Sequence, residues 1–222
     1  LIRPANQQLT QVYFGSMSAT PEGIKTIDDS GAMSVLFQQV VVQEPWTAVK
    51  SDDNWYLYDP DSAVLQSSAY DSIVFAGPVA VASKKDSIRI YFSPRIVLQV
   101  KQPVRVAFIP GQDSSSFLLL DHGEKKSVYD LVGKKLFTVK YDDIQYAGEG
   151  FFRVIKREKK GIITSVGKII LPLSYDAIGT VNKGTVSLLT SMKFGLYDCV
   201  KRKLIKPQYE KNITVYNHAV LA

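Results

Sequence analysis

A tyrosine followed by an acidic residue recurs along this chain, with an isoleucine two or three positions after the acid. The four pairs are Tyr70-Asp71, Tyr141-Asp142, Tyr175-Asp176 and Tyr209-Glu210. The last two steps along the chain are equal, and the first is close to twice their length. A degenerate copy fills the long interval, where RIVLQVKQPV at 95–104 places Gln102 in the tyrosine position. A period of about 34 residues indicates a tandem array of small, similar repeats.

A second recurring position runs in step with the first. It precedes a short apolar segment and is occupied by Gly23, Tyr56, Ser87, Ser127, Gly161 and Gly195. The steps are all close to the same period, and the longest, from Ser87 to Ser127, contains the turn-rich segment PGQDSSS at 110–116. Two anchors with one period predict six repeats, preceded by the tail of another in LIRP at the start. We therefore expect a single β-repeat domain of about six repeats over residues 1–222, as a fragment of a longer chain.

Residue content and spacing favour strands throughout these repeats. The chain has twelve tyrosines and ten phenylalanines, Val, Ile and Thr are frequent, and long helical patterns are missing. In the repeat at 159–190, GIITS and KIIL predict two strands joined by a turn in which Gly167 can take a positive φ. Pro172 belongs at a strand end or edge because it lacks an N–H, and TVSLL predicts a third strand. Each repeat is thus expected to form three antiparallel strands.

The recurring tyrosine and acid are expected to serve the fold. The tyrosine ring would cover the gap between neighbouring repeats, and the acid would accept hydrogen bonds from N–H groups at the corner. An aromatic shelf for sugars or bases is the functional alternative for the same rings. One repeat cannot bury its own apolar face, so the repeats must stack. We expect an all-β, open and curved array of these sheets, and the alternative is a closed β-propeller.

Two segments share one extended pattern. KKGIITSVGKIILPLSYDAI at 159–178 and KFGLYDCVKRKLIKPQYEKNI at 193–213 both have the order lysine, glycine, apolar residues, turn, apolar residues, proline, tyrosine and acid. In this pattern the chain resembles the tryptophan–glycine (WG) repeat family of bacterial proteins. Trp55 holds the tryptophan position but is followed by Tyr56, and Phe194 replaces the tryptophan in a later repeat. The resemblance implies repeated β-hairpins with binding or scaffolding roles, and it carries no catalytic residues.

Positive charge is concentrated in the second half of the chain. The net charge is +6, with −2 over residues 1–119 and +8 over residues 120–222. The densest basic run is KREKKG at 156–161. Such a run can bind an anionic partner such as nucleic acid, lipid headgroups or an acidic protein. It can also be a solvated hairpin whose lysines discourage edge-to-edge aggregation, and this second interpretation is favoured.

The sequence offers few residues for catalysis or metal binding. Cys199 is the only cysteine, which excludes a disulfide framework and a cysteine-based zinc site. His122 and His218 have no cysteine or histidine neighbour at ligand spacing. No Gly-x-Ser-x-Gly elbow or P-loop occurs, and AGEGFF at 147–152 lacks the third glycine of a dinucleotide fingerprint. A Ser-His-Asp triad assembles in space, so spacing leaves it open. We predict no catalytic, cofactor-binding or metal-binding residues.

Paired acids recur at predicted turns. They are Asp28-Asp29, Asp52-Asp53, Asp142-Asp143 and the loop Asp59-Pro60-Asp61. Calcium uses such oxygens, but the twelve-residue calcium loop with its terminal glutamate is absent. Hydrogen bonding of the carboxylates to turn N–H groups is the favoured interpretation.

These observations leave three hypotheses for function. The first is a non-catalytic scaffold that binds a protein partner, as a subunit of a larger bacterial envelope or surface assembly. The second is a module that binds a polysaccharide or another polyanion, and nucleic acid is not expected. The third is a glycosidase, which would need two facing carboxylates. No apolar run long enough to span a membrane occurs. The irregular segment 79–119 breaks the repeat pattern and is a candidate location for function.

Overall fold

The computed structural model describes residues 16–20, 23–27, 33–59, 64–65, 68–111, 115–216 and 219–221, with side chains for 37–58, 68–111 and 115–213. These residues form strands and turns and no helix, so the all-β prediction is confirmed. The strands are arranged in small antiparallel sheets in which each strand pairs with its neighbours in sequence. Contacts divide the chain into two compact units, residues 1–104 with 131–133 and residues 105–130 with 134–222.

The first compact unit contains three sheets, here called A, B and C. Sheet A consists of β1 (Ser16–Thr20), β2 (Gly23–Ile27) and β3 (Met33–Phe37). Sheet B consists of β4 (Gln39–Gln43), β5 (Trp46–Ser51), β6 (Asn54–Asp59) and β7 (Val64–Leu65). Sheet C consists of β8 (Ser72–Ala76), β9 (Val79–Lys84), β10 (Ser87–Ser93) and β11 (Ile96–Lys101).

The second compact unit contains sheets D, E and F and the strand pair G. Sheet D consists of β12 (Arg105–Pro110), β13 (Ser116–Asp121), β14 (Lys126–Asp130) and β15 (Lys135–Val139). Sheet E consists of β16 (Asp143–Gly148), β17 (Phe151–Lys156), β18 (Lys159–Thr164) and β19 (Ile169–Tyr175). Sheet F consists of β20 (Ala177–Ile178), β21 (Thr185–Thr190), β22 (Lys193–Asp198) and β23 (Lys203–Tyr209), and pair G of β24 (Thr214–Tyr216) and β25 (Ala219–Leu221).

The sequence period reappears as a period of sheets. The first strands of sheets B to F begin at Gln39, Ser72, Arg105, Asp143 and Ala177, at nearly equal steps. The longest step runs from Arg105 to Asp143 and contains segment 110–116, which joins β12 to β13. Residues 112–114 of this segment, and the LIRP start, lie outside the described residues.

The predicted three strands per repeat need one correction, because each full sheet has four. The missing strand follows the tyrosine–acid corner directly, as in β16 after Tyr141-Asp142. The N–H of Asp142 donates to the carbonyl of Ile155 at 2.8 Å, and the residues after it pair with β17 from Asp143 to Gly148. The chain therefore re-enters a sheet at the corner instead of forming a loop. As a result, the sequence repeat 159–190 straddles sheets E and F.

The glycine and proline of the repeat meet across the last two strands of a sheet. In sheet E the register shifts between Lys160 and Ile162, so the edge strand β19 is bulged around Pro172. A Cβ on Gly161 would lie 2.7 Å from the carbonyl oxygen of Leu171, so only glycine fits without a shift of the backbone. Pro172 is thus in an edge strand as predicted, although β19 continues past it to Tyr175. The predicted positive φ of Gly167 is confirmed at 78°.

The acid of the tyrosine–acid pair binds a distant turn. The carboxylates of Asp71, Asp142 and Asp176 accept hydrogen bonds from the backbone N–H groups of Lys85, Arg157 and Ser191, at 2.7, 2.8 and 2.8 Å. Each donor is the first residue of a two-residue hairpin turn and has a φ near +50°. The predicted role of the acid was therefore correct in kind. Its donors lie in the second strand connection after the corner and not at the corner itself.

Neighbouring sheets within each compact unit share a hydrophobic core. In the first unit Trp46, Ala48 and Leu57 of sheet B pack with Tyr70 and with side chains of sheet C. In the second unit Tyr175 belongs to the core between sheets E and F. Burial of such side chains contributes about 1.5–3 kcal/mol each, which no single sheet could gain alone. The predicted position of the tyrosine between neighbouring repeats is confirmed at Tyr70 and Tyr175.

Candidate ligand-binding site

One face of sheet C carries a row of polar side chains across its last three strands. The row consists of Lys84, Ser87, Arg89, Gln99 and Lys101. These residues share a face because side chains alternate along each strand. Ser87 lies opposite both Lys84 and Lys101 in the ladder, and Arg89 lies opposite both Ala82 and Gln99. The fold therefore brings together cations that come from three different strands.

This face forms a wall of a cavity of about 660 Å³ within the first compact unit. Ser68 and Tyr70, which precede β8, line it from another side, and Lys85 and Asp86 line it at the turn between β9 and β10. Segment 79–119, which breaks the repeat pattern, supplies most of the lining. We refer to this cavity below as the sheet C cavity.

The guanidinium of Arg89 is held in place inside the cavity. One of its terminal nitrogens, Nη1, donates to the Ser68 hydroxyl at 3.1 Å and to the Tyr70 hydroxyl at 3.3 Å. The Tyr70 hydroxyl also makes a short hydrogen bond with that of Tyr91. Both rings are buried, and burial together with the Tyr70 hydrogen bond raises the pKa of Tyr91 well above its ordinary value. The hydrogen bonds to the tyrosine hydroxyls raise the pKa of Arg89, which therefore remains a cation.

The charges around the cavity are unbalanced. Among the described residues, Lys84, Lys85, Arg89 and Lys101 face it together with a single carboxylate, Asp86. Within the described part of the chain, none of these four cations is in an ion pair. A concave surface lined by charge of one sign concentrates ions of the opposite sign. The arrangement can therefore hold an anionic group.

The corner after sheet C differs from the corners after sheets E and F. In sheets E and F the first residue of the third strand pairs with the acid of the following corner, as in Lys159–Asp176 and Lys193–Glu210. The corner after sheet C is the degenerate copy, where Pro103 follows Gln102. Proline stands in the position of the acid, and the residue of sheet C equivalent to Lys159 is Ser87, which carries no charge.

Comparison of sheets C and E also changes which residue of sheet C occupies the second recurring position, the one held by Gly161 in sheet E. The turn at Lys85-Asp86 matches the turn at Arg157-Glu158. Counting from these turns places Arg89, not Ser87, in the position of Gly161. The anchor assignment of Ser87 from the sequence was therefore wrong by two positions, because no glycine marks this repeat. The ladder between β10 and β11 runs without a bulge from Ser87 to Tyr91, which leaves space for the arginine side chain.

In the basic run 156–161, the most prominent cationic feature of the sequence, two of the four cationic side chains make internal contacts. Lys159 forms an ion pair and hydrogen bond with the Asp176 carboxylate, and Lys160 donates to the Asp176 backbone carbonyl. The hydrogen bond from Lys159 holds the pKa of Asp176 below its ordinary value, helped by the Ser191 N–H. These contacts support the interpretation of this run as a structural hairpin.

The other residues considered from the sequence lie apart from the cavity. His122 is exposed in the loop between β13 and β14, and His218 lies outside the described residues. Cys199 is buried, which raises the pKa of its thiol to about 11. In AGEGFF, the Glu149 carboxylate accepts hydrogen bonds from the N–H groups of Lys183 and Gly184, at 2.6 and 2.9 Å. That segment contains the hairpin turn between β16 and β17 of sheet E, and its glutamate binds the loop that precedes β21 of sheet F.

The described paired acids fall into two settings: Asp142 binds the N–H of Arg157 and Asp143 begins β16, whereas the other pair is a turn. Asp52-Asp53 forms a two-residue hairpin turn with φ values of 49° and 63°. Asp28-Asp29 and most of the 59–61 loop lie outside the described residues. Across the described chain, no group of three or more His, Cys, Asp or Glu side chains is placed to hold a metal ion. No helix suited to crossing a membrane occurs among the same residues.

Sequence reasoning missed the cavity because it searched for dense charge. Residues 1–119 are net acidic, and Lys84, Arg89 and Lys101 are never adjacent. Two signals were available. The first is spacing: Lys84 and Ser87 flank a two-residue turn and Arg89 lies two residues after Ser87, which places all three on one face of a hairpin. The second is the corner pair Gln102-Pro103, which stands where the four motif copies have tyrosine and acid.

No family model and no curated protein matches the sequence. Among solved structures, the chain is similar to Hsv2 of Kluyveromyces lactis at 9% identity, over 88% of this chain and 83% of that chain, with a TM-score of 0.36. It is similar to the WD40 domain of SCAP from fission yeast at 14% identity, over 82% and 59%, with a TM-score of 0.34. It is similar to PorZ, a surface component of the type-IX secretion system of Porphyromonas gingivalis, at 11% identity, over 79% and 28%, with a TM-score of 0.30. Similarities of this size say nothing about what this chain binds.

Proposed function

We propose that this chain is a non-catalytic β-repeat module that binds a protein partner, as a subunit of a larger assembly at a bacterial envelope or surface. The observation that carries the proposal is an apolar side chain repeated on successive hairpins. Val166 and Val200 lie one repeat apart, in equivalent turns of sheets E and F, and they are 76% and 79% exposed. Apolar groups exposed at the repeat spacing are typical of an interaction surface. The bacterial setting belongs to the same proposal and rests on the WG resemblance. The open, curved stacking of the sheets is also part of it and rests on the short repeat, since propeller blades usually need somewhat more residues.

The chemistry around these valines indicates what the partner should offer. Ile169 on edge strand β19 and Leu204 on edge strand β23 extend the apolar surface. Val200 is followed by KRK at 201–203, and Val166 is followed two positions later by Lys168. An apolar strip bordered by carboxylates would complement this surface, because opposite charges at an interface rim favour the correct partner.

Internal use of the recurring acids supports a role without catalysis. A glycosidase needs one carboxyl group that donates a proton and a second that attacks or activates water. Asp71, Asp142 and Asp176 instead accept hydrogen bonds from turn N–H groups. The repeated motif thus explains the fold and leaves no repeated reactive group.

The protein-binding proposal is tested by mild native purification of the parent protein, followed by mass spectrometry. We expect one partner at equal stoichiometry, released by the double variant Val166→Glu/Val200→Glu. Val74→Glu is the matched control, because Val74 is an exposed valine of sheet C at 59% exposure. A partner that stays bound to the double variant, or the absence of any stoichiometric partner, contradicts the proposal.

A second candidate function is binding of a polysaccharide or another polyanion, and the sheet C cavity favours it. Four cations that form no ion pair with another described residue, facing one described carboxylate, are suited to an anionic ligand. Binding should weaken steeply as salt is added, because salt screens the charges and competes for them. Titration of the chain with heparin at about 50 and about 300 mM salt measures this, and an affinity independent of salt contradicts it.

A further inference from the structure

We propose that the sheet C cavity binds a segment of an acidic polysaccharide, with an anionic substituent of one sugar on Arg89 and sugar hydroxyls on the groups beside it. This inference rests on the second candidate function and assigns its site and ligand class. The anionic group can be a sulfate, phosphate or carboxylate, because all three present oxygens to a guanidinium.

Arg89 is suited to hold the anionic substituent. A guanidinium has five N–H donors, and only Nη1 is used by Ser68 and Tyr70. These two hydrogen bonds fix the planar group before a ligand arrives, so less side-chain entropy is lost on binding. Lys84 and Lys101 lie one ladder step away, on either side of Ser87, and add positive charge that no ion pair among the described residues neutralises.

The neutral and acidic groups of the cavity indicate a ligand that also carries hydroxyls. Gln99 donates through Nε2 to the Ser87 hydroxyl at 3.3 Å, which leaves its carbonyl oxygen available as an acceptor. Asp86 adds a carboxylate. A fully ionised sulfate has no hydrogen to donate to these acceptors, whereas a sugar hydroxyl donates and accepts. Because the cavity combines these hydrogen-bond acceptors with cations, it fits a sugar that carries an anionic group better than a simple inorganic anion.

Single-stranded nucleic acid fits this cavity less well. Its non-specific binding sites stack bases on exposed aromatic rings. Tyr70 and Tyr91 are 2% and 3% exposed, so neither ring can serve as such a platform. An acidic peptide would use the cations but would leave Gln99 and Asp86 without hydroxyl donors from its carboxylate side chains.

The repeat provides an internal reason to regard Arg89 as a ligand residue. At the equivalent positions Gly161 and Gly195 pack against the bulged backbone of the edge strand, with no room for a side chain. Sheet C has lost the glycine, the bulge and the corner acid together. The fold gains no ion pair among the described residues from this exchange, and the cavity gains an oriented cation.

The test is calorimetric titration of the folded chain, at low salt, with five probes. They are a heparin oligosaccharide, an oligogalacturonate, neutral dextran, oligo-dT and polyglutamate, with the charged probes matched in charge. We expect binding to at least one acidic glycan, more tightly than to oligo-dT or polyglutamate, and no binding to dextran. Preference for heparin or for oligogalacturonate distinguishes a sulfate from a carboxylate substituent.

Variants then locate the site. Arg89→Gln should weaken glycan binding about 10- to 100-fold, the range for loss of a hydrogen-bonded charge pair. Lys84→Gln/Lys101→Gln removes two exposed lysines without touching the core and should weaken binding about 5- to 20-fold. Lys156→Gln/Lys206→Gln is the matched control, with one lysine at the hairpin position equivalent to Lys84 and one on the edge strand of sheet F, and it should bind as the wild type.

Three results would overturn the inference. They are tighter binding to oligo-dT or polyglutamate, an equal loss in the control double variant, and no binding to either acidic glycan. If heparin binds with a steep salt dependence but Arg89→Gln and the Lys84/Lys101 pair have no effect, polyanion binding survives and its placement in this cavity is wrong.

Discussion

The hairpins at residues 84–87 and 156–159 lie in sheets C and E and have the same two-residue turn. Lys84 and Lys156 hold the same position before that turn and are both exposed. In sheet E the next lysine, Lys159, is paired with Asp176. In sheet C the acid of the following corner is replaced by Pro103, and the cations of the sheet face a cavity without an ion pair among the described residues.

This difference shows that charge density along the sequence is a poor guide to available charge. In the denser run, at 156–161, two lysines are already bound to Asp176. The sparser set of cations is the one that remains available. The corner acid of sheet E pairs with Lys159, whose equivalent in sheet C is Ser87, whereas the cations of sheet C occupy other positions.

The largest expected effect is on stability, at equivalent positions of the third strands of sheets E and C, which are Gly161 and Arg89. Gly161→Ala places a Cβ 2.7 Å from the Leu171 carbonyl oxygen, so we expect a loss of about 1–3 kcal/mol in the free energy of unfolding. Arg89→Ala should cost less, about 1 kcal/mol, because it removes hydrogen bonds without creating a clash. Urea unfolding measures both. Equal losses would mean that Arg89 serves the fold as much as Gly161 does.

A second comparison uses the two tyrosines of the repeat motif. Tyr70→Phe removes the hydroxyl that bonds to Tyr91 and accepts from Arg89, so it should cost about 1 kcal/mol of stability and weaken glycan binding several-fold. Tyr175→Phe changes the same motif position in sheet E and should leave glycan binding unchanged. Calorimetric titration of both variants checks this. A loss of binding in both would show that the effect comes from general loosening of the repeats.

A third comparison uses pH and the corner acid. The pKa of Asp176 is lowered in the folded state, so its contribution to stability is full above the unfolded pKa near 4 and is lost as pH falls through the lower, folded value. We expect Asp176→Asn to be less stable than the wild type at pH 7 and equally stable near pH 2, by thermal unfolding. The same variant frees Lys159 and should add weak, salt-sensitive heparin binding. A stability difference that stays constant with pH would contradict the role of this ion pair.

The smallest expected effect tests single lysines. Lys84→Gln should weaken glycan binding about two- to fourfold, as expected for one partly exposed charge contact, and should reduce the salt dependence of binding. Lys156→Gln should change neither quantity. Titrations at about 50 and about 150 mM salt compare them. Similar effects of both lysines would mean that the ligand responds to net charge and not to the cavity.

Much of the fold was predictable from local signals. The tyrosine–acid pairs located the corners, Gly167 located a turn, and Pro172 located an edge strand. The fourth strand was missed because it begins at the corner itself and, in β20, is very short. The prediction of one domain over residues 1–222 and the resemblance to WG repeats stay predictions.

The candidate site was less predictable, since its residues are unremarkable one by one. Arg89 occupies a repeat position without the glycine that marks that position elsewhere, so counting along the sequence chose Ser87. Its hydrogen bonds to Ser68 and Tyr70 join distant parts of the chain and depend on how β8 to β10 pair. The degenerate Gln102-Pro103 corner was visible in the sequence, but its consequence required knowledge of where the corner acid binds.

By itself, the sequence determined the repeat period, the all-β class and the residues at turns and edges, because backbone geometry imposes these requirements locally within each repeat. Only the tertiary structure decided which charges are neutralised and which line a cavity. Pairing of charges depends on strand register and on partners in a different turn or corner of the chain.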